Sequence, residues 1–278
     1  MNEQDKNVKP LPTTQVTKPL SDDMLPHVSI LIPCYLRQKF VPLILMNISQ
    51  MDYPRDKMEI CILQDGPLDL FTCESDKDFF KEVMKPAVLK YVYEPKVRRT
   101  IGQKRNKLVK MASHKICANM DSDDIYLPTY LRYSVSALKE FKVGITSSAQ
   151  MMFCYPKLDY KITAISCGHK HQGHEACAVF TKKHFNSMGG FISRGTNSNQ
   201  GEGVKMIAYN EKNMVNLDIR YLMICVAHDG EEGNTIPKDQ FNEAAEDTTN
   251  LDTLPHLKIL REMLGSIEGN PESASLDV

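Results

Sequence analysis

The chain has 278 residues, 42% of them hydrophobic, which is enough for one sizeable globular domain and carries no fibrous pattern. Its 34 Lys and Arg stand against 35 Asp and Glu, a net charge of −1. No global field therefore recruits nucleic acid or an anionic membrane, and an anionic substrate must be held by local groups.

Residues 1–25 are polar and rich in Pro, Thr and Lys, which predicts a flexible tail without an apolar core of signal-peptide length. From there the chain alternates. Residues 27–35 (HVSILIPCY) read as a buried strand, 39–51 as a helix, 57–65 (KMEICILQD) as a second strand and 75–85 as a second helix. Residues 88–94 read as a third strand, 101–114 as a third helix and 115–120 as a fourth strand. Strand and helix in this rhythm imply parallel pairing, because parallel strands need crossover connections. The expected fold class is α/β, a Rossmann-like open sheet whose ligands sit outside the carboxyl ends of the strands.

Beyond Tyr126 the pattern changes: 128–141 reads as a helix, while 143–155, 159–168 and 175–182 read as strands joined by short turns, which suggests antiparallel additions. No run approaches the ~18–20 apolar residues of a membrane span. The eight cysteines (34, 61, 73, 117, 154, 167, 177 and 225) are dispersed, several within apolar runs, as suits buried free thiols in a reducing compartment. The expectation is a soluble, unsecreted, cytoplasmic protein whose attachment to a membrane, if any, is peripheral.

The strand-end rule gathers Pro33, Cys34 and Tyr35, then Asp65 and Gly66, then Arg98 and Arg99, then Asp121 and Asp123 along one crevice. Two carboxylates at i and i+2 in a turn after a strand can share a hard divalent cation, Mn2+ or Mg2+, that keeps positions open for phosphate oxygens. The same run also reads as an ordinary solvated turn. Asp65 can accept from the imide N–H of a uracil-like base while Tyr35 offers a ring to stack on it. Lys96, Arg98, Arg99, Lys104 and Arg105 bring positive charge suited to a diphosphate. Cys167, His169, His171, His174 and Cys177 form a Cys/His tract that could bind zinc, though an alternating strand explains it as well.

Over about residues 27–235 the chain resembles the glycosyltransferases of family 2, which have the GT-A fold. The resemblance rests on a first strand ending in Pro-x-Tyr (VSILIPCY), a second ending in Asp (CILQDGP), a helix carrying Arg-Asn (KRN), and Asp-x-Asp-Asp (MDSDD) with Asn106 fifteen residues before Asp121. Gln64 stands where many members have the first of two aspartates, and the acceptor-side acidic motif is reduced to Glu202 in NQGEGVKM. The resemblance implies a mixed sheet with a smaller antiparallel acceptor-side lobe. It divides the chain into a 1–25 tail, a 26–240 domain with a nucleotide-sugar half (26–126) and an acceptor half (127–240), and a 241–278 helical segment and tail.

It also implies a metal-dependent inverting transferase that takes a nucleotide-sugar donor, a UDP-sugar by expectation, and a glycan, lipid-linked or protein acceptor. Pro33, Tyr35, Asp65, Arg99, Lys104 and Asp121 would bind the nucleotide-sugar, Asp123 and His228 the metal, and Glu202 would be the general base. Asp124, the third carboxylate of the run, reads as the cap of the helix-bearing loop that follows. A sugar nucleotidyltransferase is the first rival, but its glycine-rich loop after the first strand is missing from PCYLRQKF. A non-catalytic sugar- or protein-binding module on the same fold is the second, and the intact Asp121, Asp123 and Glu202 argue against it.

Overall fold

The computed structural model describes residues 12–158, 160–166, 173–193, 202–207, 210, 212–228, and 256, 258, 259, 261 and 262. Cys167, His169 and His171 of the Cys/His tract, and nearly all of the 241–278 segment, lie outside them. The strands and helices of the first half fall where the periodicity puts them. These are β1 (Val28–Tyr35), α1 (Val41–Ser49), β2 (Met58–Asp65), α2 (Glu74–Met84), β3 (Val88–Glu94), α3 (Ile101–Met111) and β4 (Ile116–Asn119). β1 pairs in parallel with both β2 and β4, and β2 with β3.

These strands are apolar on both faces because both faces are covered. In β1, Ile30 and Ile32 enter one core with α1, α2 and α4 (Tyr130–Glu140), while Leu31 enters a second core with residues of α3. Ile60 and Ile62 of β2 repeat the first direction, Cys61 and Leu63 the second. Each such side chain contributes about 1.5–3 kcal/mol on leaving water.

The second half is more mixed than the run of turns suggests. The 143–155 segment divides into β6 (Ile145–Ser147), in the main sheet, and β7 (Gln150–Tyr155), in a second one. β9 (Val179–Thr181) lies antiparallel between β4 and β6, and β10 (Met214–Asn216) closes the edge in parallel with β6, giving the order β10-β6-β9-β4-β1-β2-β3. The second sheet, β5 (Ile125–Tyr126), β11 (Met223–Val226), β7 and β8 (Lys161–Ser166), is antiparallel except that β11 runs parallel to β7.

Two helices were not legible in the sequence. One is α5 (Lys182–Met188), capped by the Thr181 hydroxyl and ended by Gly189 in the left-handed region, and the other is the short α6 (Val204–Ile207). The stretch from residue 14 to 25, expected within a flexible tail, instead follows a fixed path. Thr14 bridges to Leu217, the Leu20 N–H donates to Ser136 Oγ at 2.9 Å, and Arg132 of α4 ties down the Leu20 carbonyl and Asp22. Local composition could not report these long-range partners. None of the seven described cysteines is in a disulfide, and only Cys73 is exposed. No helix among the described residues is long and apolar enough to cross a membrane.

At the amino ends of the strands, buried Glu59 joins three elements: it accepts from Ser29 Oγ and the Ser113 N–H, each at 2.7 Å, and pairs with Lys90 at 2.8 Å. Burial pushes its carboxyl up, but Lys90 and these hydrogen bonds outweigh that and pull it from 4.5 down to about 2. A depressed carboxylate contributes stability that is present above its unfolded value and lost as pH falls through the folded one. Glu59→Gln should therefore lower the melting temperature at neutral pH, with the gap to wild type narrowing between about pH 4.5 and 2. A pH-independent gap would exclude this ionisation as the source.

Candidate active site

In the main sheet the order reverses between β1 and β4, since β2 and β3 extend to one side of β1 and β4 to the other. A crevice outside the carboxyl ends of the strands belongs at such a switch point. A cavity of about 510 Å³ lies there, lined by Pro33, Tyr35 and Arg37 from the β1 end, Asp121 to Asp123 from the β4 end, Arg98 to Ile101 with Lys104 and Arg105 around the start of α3, and Glu175 and Glu202 from the second half.

The start of α3 is fixed by a capping box in which Thr100 and Gln103 exchange side-chain-to-backbone hydrogen bonds. Gly102 then lets the helix approach the far loop: a Cβ there would stand 1.9 Å from the Ile192 carbonyl oxygen. That approach delivers Arg105 into the cavity wall, 3% exposed. One of its nitrogens pairs with Asp121 Oδ1 at 2.8 Å and the other with Glu202 Oε1. Burial alone would lower the guanidinium's affinity for its proton, but Asp121, Glu202 and Glu175 around it raise it further. Asn106, beside it, holds the same loop by accepting the Phe191 N–H at 2.9 Å and donating to the Phe191 carbonyl at 2.8 Å.

The acidic run divides its labour. Asp121 faces the cavity, its carboxyl pushed up by burial against the pull of Arg105, and its backbone N–H donates to Tyr126 Oη at 2.8 Å. Asp123 Oδ2 accepts from His228 Nε2 at 3.0 Å and pairs with Arg37 at 2.9 Å. Burial pushes Asp123 up, yet the imidazole hydrogen bond and the guanidinium charge hold it below the usual carboxylate range. Asp124 is not a helix cap: α4 begins six residues later behind Thr129, and Asp124 Oδ1 instead accepts the Val226 N–H of β11 at 2.9 Å. Burial and the two neighbouring aspartates push its carboxyl well up.

The nucleotide-end residues are arranged differently from their sequence-based roles. Asp65 is fully buried behind the cavity, paired with Lys104 Nζ at 2.6 Å and accepting the Arg99 N–H at 2.6 Å. Lys104 also donates to the Cys34 carbonyl at 2.8 Å, and burial lowers its pKa despite Asp65. The Arg99 side chain pairs with Glu94 at 2.7 and 3.1 Å. The Tyr35 ring lies against Gly66, whose φ of +94° and missing Cβ (which would meet the ring at 2.6 Å) leave the space. Its other face carries the Arg98 guanidinium, 3.4 Å from the ring centre.

Of the residues singled out in the sequence, Pro33, Tyr35, Arg99, Lys104, Asp121, Asp123 and Glu202 line the cavity, His228 touches it through Asp123, and Asp65 stands behind the wall. Sequence reasoning missed Arg37 and Glu175. Glu175 Oε1 accepts the Gly203 N–H at 2.8 Å, and burial with the nearby Glu202 charge raises its pKa. The only local signal was Glu175's place in the Cys/His tract. The described members of that tract, His174 and Cys177, are buried and meet each other at 3.2 Å, and burial beside Arg105 pushes His174 down to about 4. Among the described residues, no group of three or more His, Cys, Asp or Glu side chains is placed to hold a metal ion.

No curated protein matches the chain in sequence. Among solved structures it is similar to the mannosyltransferase PcManGT from Pyrobaculum calidifontis, in complex with GDP-Man and Mn2+, at 20% identity and a TM-score of 0.54. The match covers 81% of this chain but only 62% of that one. It is also similar to S. aureus TarS in complex with UDP-GlcNAc, at 13% identity and a TM-score of 0.54, over 88% of this chain and 67% of that one. These likenesses show the shared GT-A fold. Residues 29–193, more than half of the chain, match the family described as glycosyl transferase family 2, and the chain belongs to that family.

Proposed function

We propose that the protein is a metal-dependent, inverting glycosyltransferase that moves a sugar from a nucleotide-sugar, a UDP-sugar by preference, to an acceptor hydroxyl. The observation that carries this reading is the convergence of Asp121, Asp123, Arg105 and Glu202 on one cavity at the switch point of the sheet. Similar folds hold GDP-Man with Mn2+ in one protein and UDP-GlcNAc in another, which supports a nucleotide-sugar donor here.

The donor set fits a hard divalent cation. Asp123 and His228 offer a carboxylate oxygen and an imidazole nitrogen 3.0 Å apart, His228 Nδ1 is buried without a hydrogen-bond partner, and Asp121 faces the same space. Two protein ligands leave positions open for phosphate oxygens. When bound there, the cation supplies positive charge against the charge that develops on the departing diphosphate.

The chain's own residues do the rest. Glu202 takes the acceptor's hydroxyl proton; the acceptor oxygen forms a bond to the anomeric carbon as the bond to the phosphate oxygen breaks, and the configuration inverts. Arg105 keeps Glu202 and Asp121 on opposite sides of one guanidinium, so that base and donor end are set relative to each other. A base stacking on Tyr35 would take the place of the Arg98 guanidinium now over that ring, and Asp65 would act from behind, by holding Lys104 and the Arg99 backbone.

Incubating the protein with Mn2+ and a panel of nucleotide-sugars should release a nucleoside diphosphate from at least one donor; neither turnover nor binding with any donor would count against the reading. Asp123→Ala should abolish metal-dependent donor binding, whereas Glu202→Gln should bind donor but lose transfer by roughly 100-fold or more, the scale of a positioned general base. Normal turnover in both variants would overturn the assigned roles. Arg105→Met should cost about 1–3 kcal/mol in denaturant unfolding, because it leaves two half-buried carboxylates without their cation.

A further inference from the structure

We infer that Arg37 and the divalent cation compete for one oxygen atom, Asp123 Oδ2, so that a residue in the loop after β1 sets how tightly this chain holds its metal. The inference rests on the reading of Asp123 as a metal ligand given above. That oxygen meets two groups: Arg37 Nη2 at 2.9 Å and His228 Nε2 at 3.0 Å. A carboxylate oxygen has two lone pairs, and these two groups use both directions. A cation arriving at Oδ2 must replace one of them.

The two groups are not equivalent as leaving partners. His228 can keep its place by moving its proton from Nε2 to Nδ1, which is buried with no hydrogen-bond partner among the described residues, and offering the freed Nε2 lone pair to the incoming ion, since neutral imidazole is itself a ligand. It is buried, and its ring packs on Phe40 with centroids 4.8 Å apart. Arg37 can only donate, and a guanidinium repels a second cation at any protonation state the protein reaches. It is also the more weakly held: its side chain is 15% exposed, and its other contacts are a 3.2 Å hydrogen bond to the Tyr35 carbonyl and the Phe40 ring at 5.8 Å. Lys39, the other nearby cation, sits over the same Phe40 ring, 5.0 Å from its centre, and among the described residues no ion pair joins it to Asp123. Arg37 is therefore the group that leaves.

The test is a titration of the full chain with Mn2+ alone, without donor, following free Mn2+ by its electron paramagnetic resonance signal. Arg37→Gln removes the competing charge and should tighten Mn2+ binding about tenfold or more; Arg37→Lys, which keeps the charge, should stay within about threefold of wild type. A merely structural role for Arg37 would weaken binding on substitution, so the direction of the change separates the two. Asp123→Asn should abolish binding in both the wild-type and the Arg37→Gln backgrounds. If Asp123→Asn abolishes binding while Arg37→Gln binds no tighter than wild type, the ion uses Asp123 Oδ1 without disturbing Arg37, and the competition is overturned with the metal site left standing. If Asp123→Asn binds Mn2+ as wild type does, the assignment of Asp123 as ligand fails instead, and the competition falls with it.

Discussion

The guanidinium of Arg105, buried between Asp121 and Glu202, is the constraint on which the site depends. Among the described residues no other ion pair is made by either carboxylate, and a buried guanidinium without a partner costs several kcal/mol. The three side chains come from α3, the end of β4 and the stretch before α6, so satisfying this one charge brings three distant parts of the chain to a single point. The arrangement tolerates little slack, because α3 reaches the loop before Glu202 only where Gly102 lacks a side chain.

The mouth of the cavity repeats the same economy of charge. Lys104 pairs with Asp65 and Arg99 with Glu94, so most of the basic residues clustered in the sequence are already matched by carboxylates at the ends of β2 and β3. A near-neutral chain can in this way carry a site dense in both signs without a free positive field.

Much of this was legible in the sequence. The parallel half follows from apolar runs at helix-length spacing, since a strand buried on both faces must read that way. Asp121 and Asp123 stood out through their place after a strand and their distance from Asn106, and Glu202 only through the family resemblance. The partnerships did not stand out. Arg105 and Glu202 are 97 residues apart and Asp123 and His228 are 105 apart, and no local periodicity encodes such pairs. The same blindness hid the carboxylate partners of the basic cluster and left Arg37 unnoticed beside Tyr35. α5 was missed because KKHFNSM is polar and directly continues a strand, with only the Thr181 cap to mark the change.

Asp124 was expected to end the acidic motif by opening a helix; its bond to the Val226 N–H gives it another meaning. Val226 precedes His228 by two residues, so the last carboxylate of the run anchors the strand that presents the imidazole to Asp123. The motif thereby carries its own surveying instrument: the separation between Asp123 and His228 is fixed from within four consecutive positions, however the intervening hundred residues are rebuilt. Lengthening or shortening the stretch between β5 and β11 would then leave the Asp123–His228 pair undisturbed, which frees that stretch to vary.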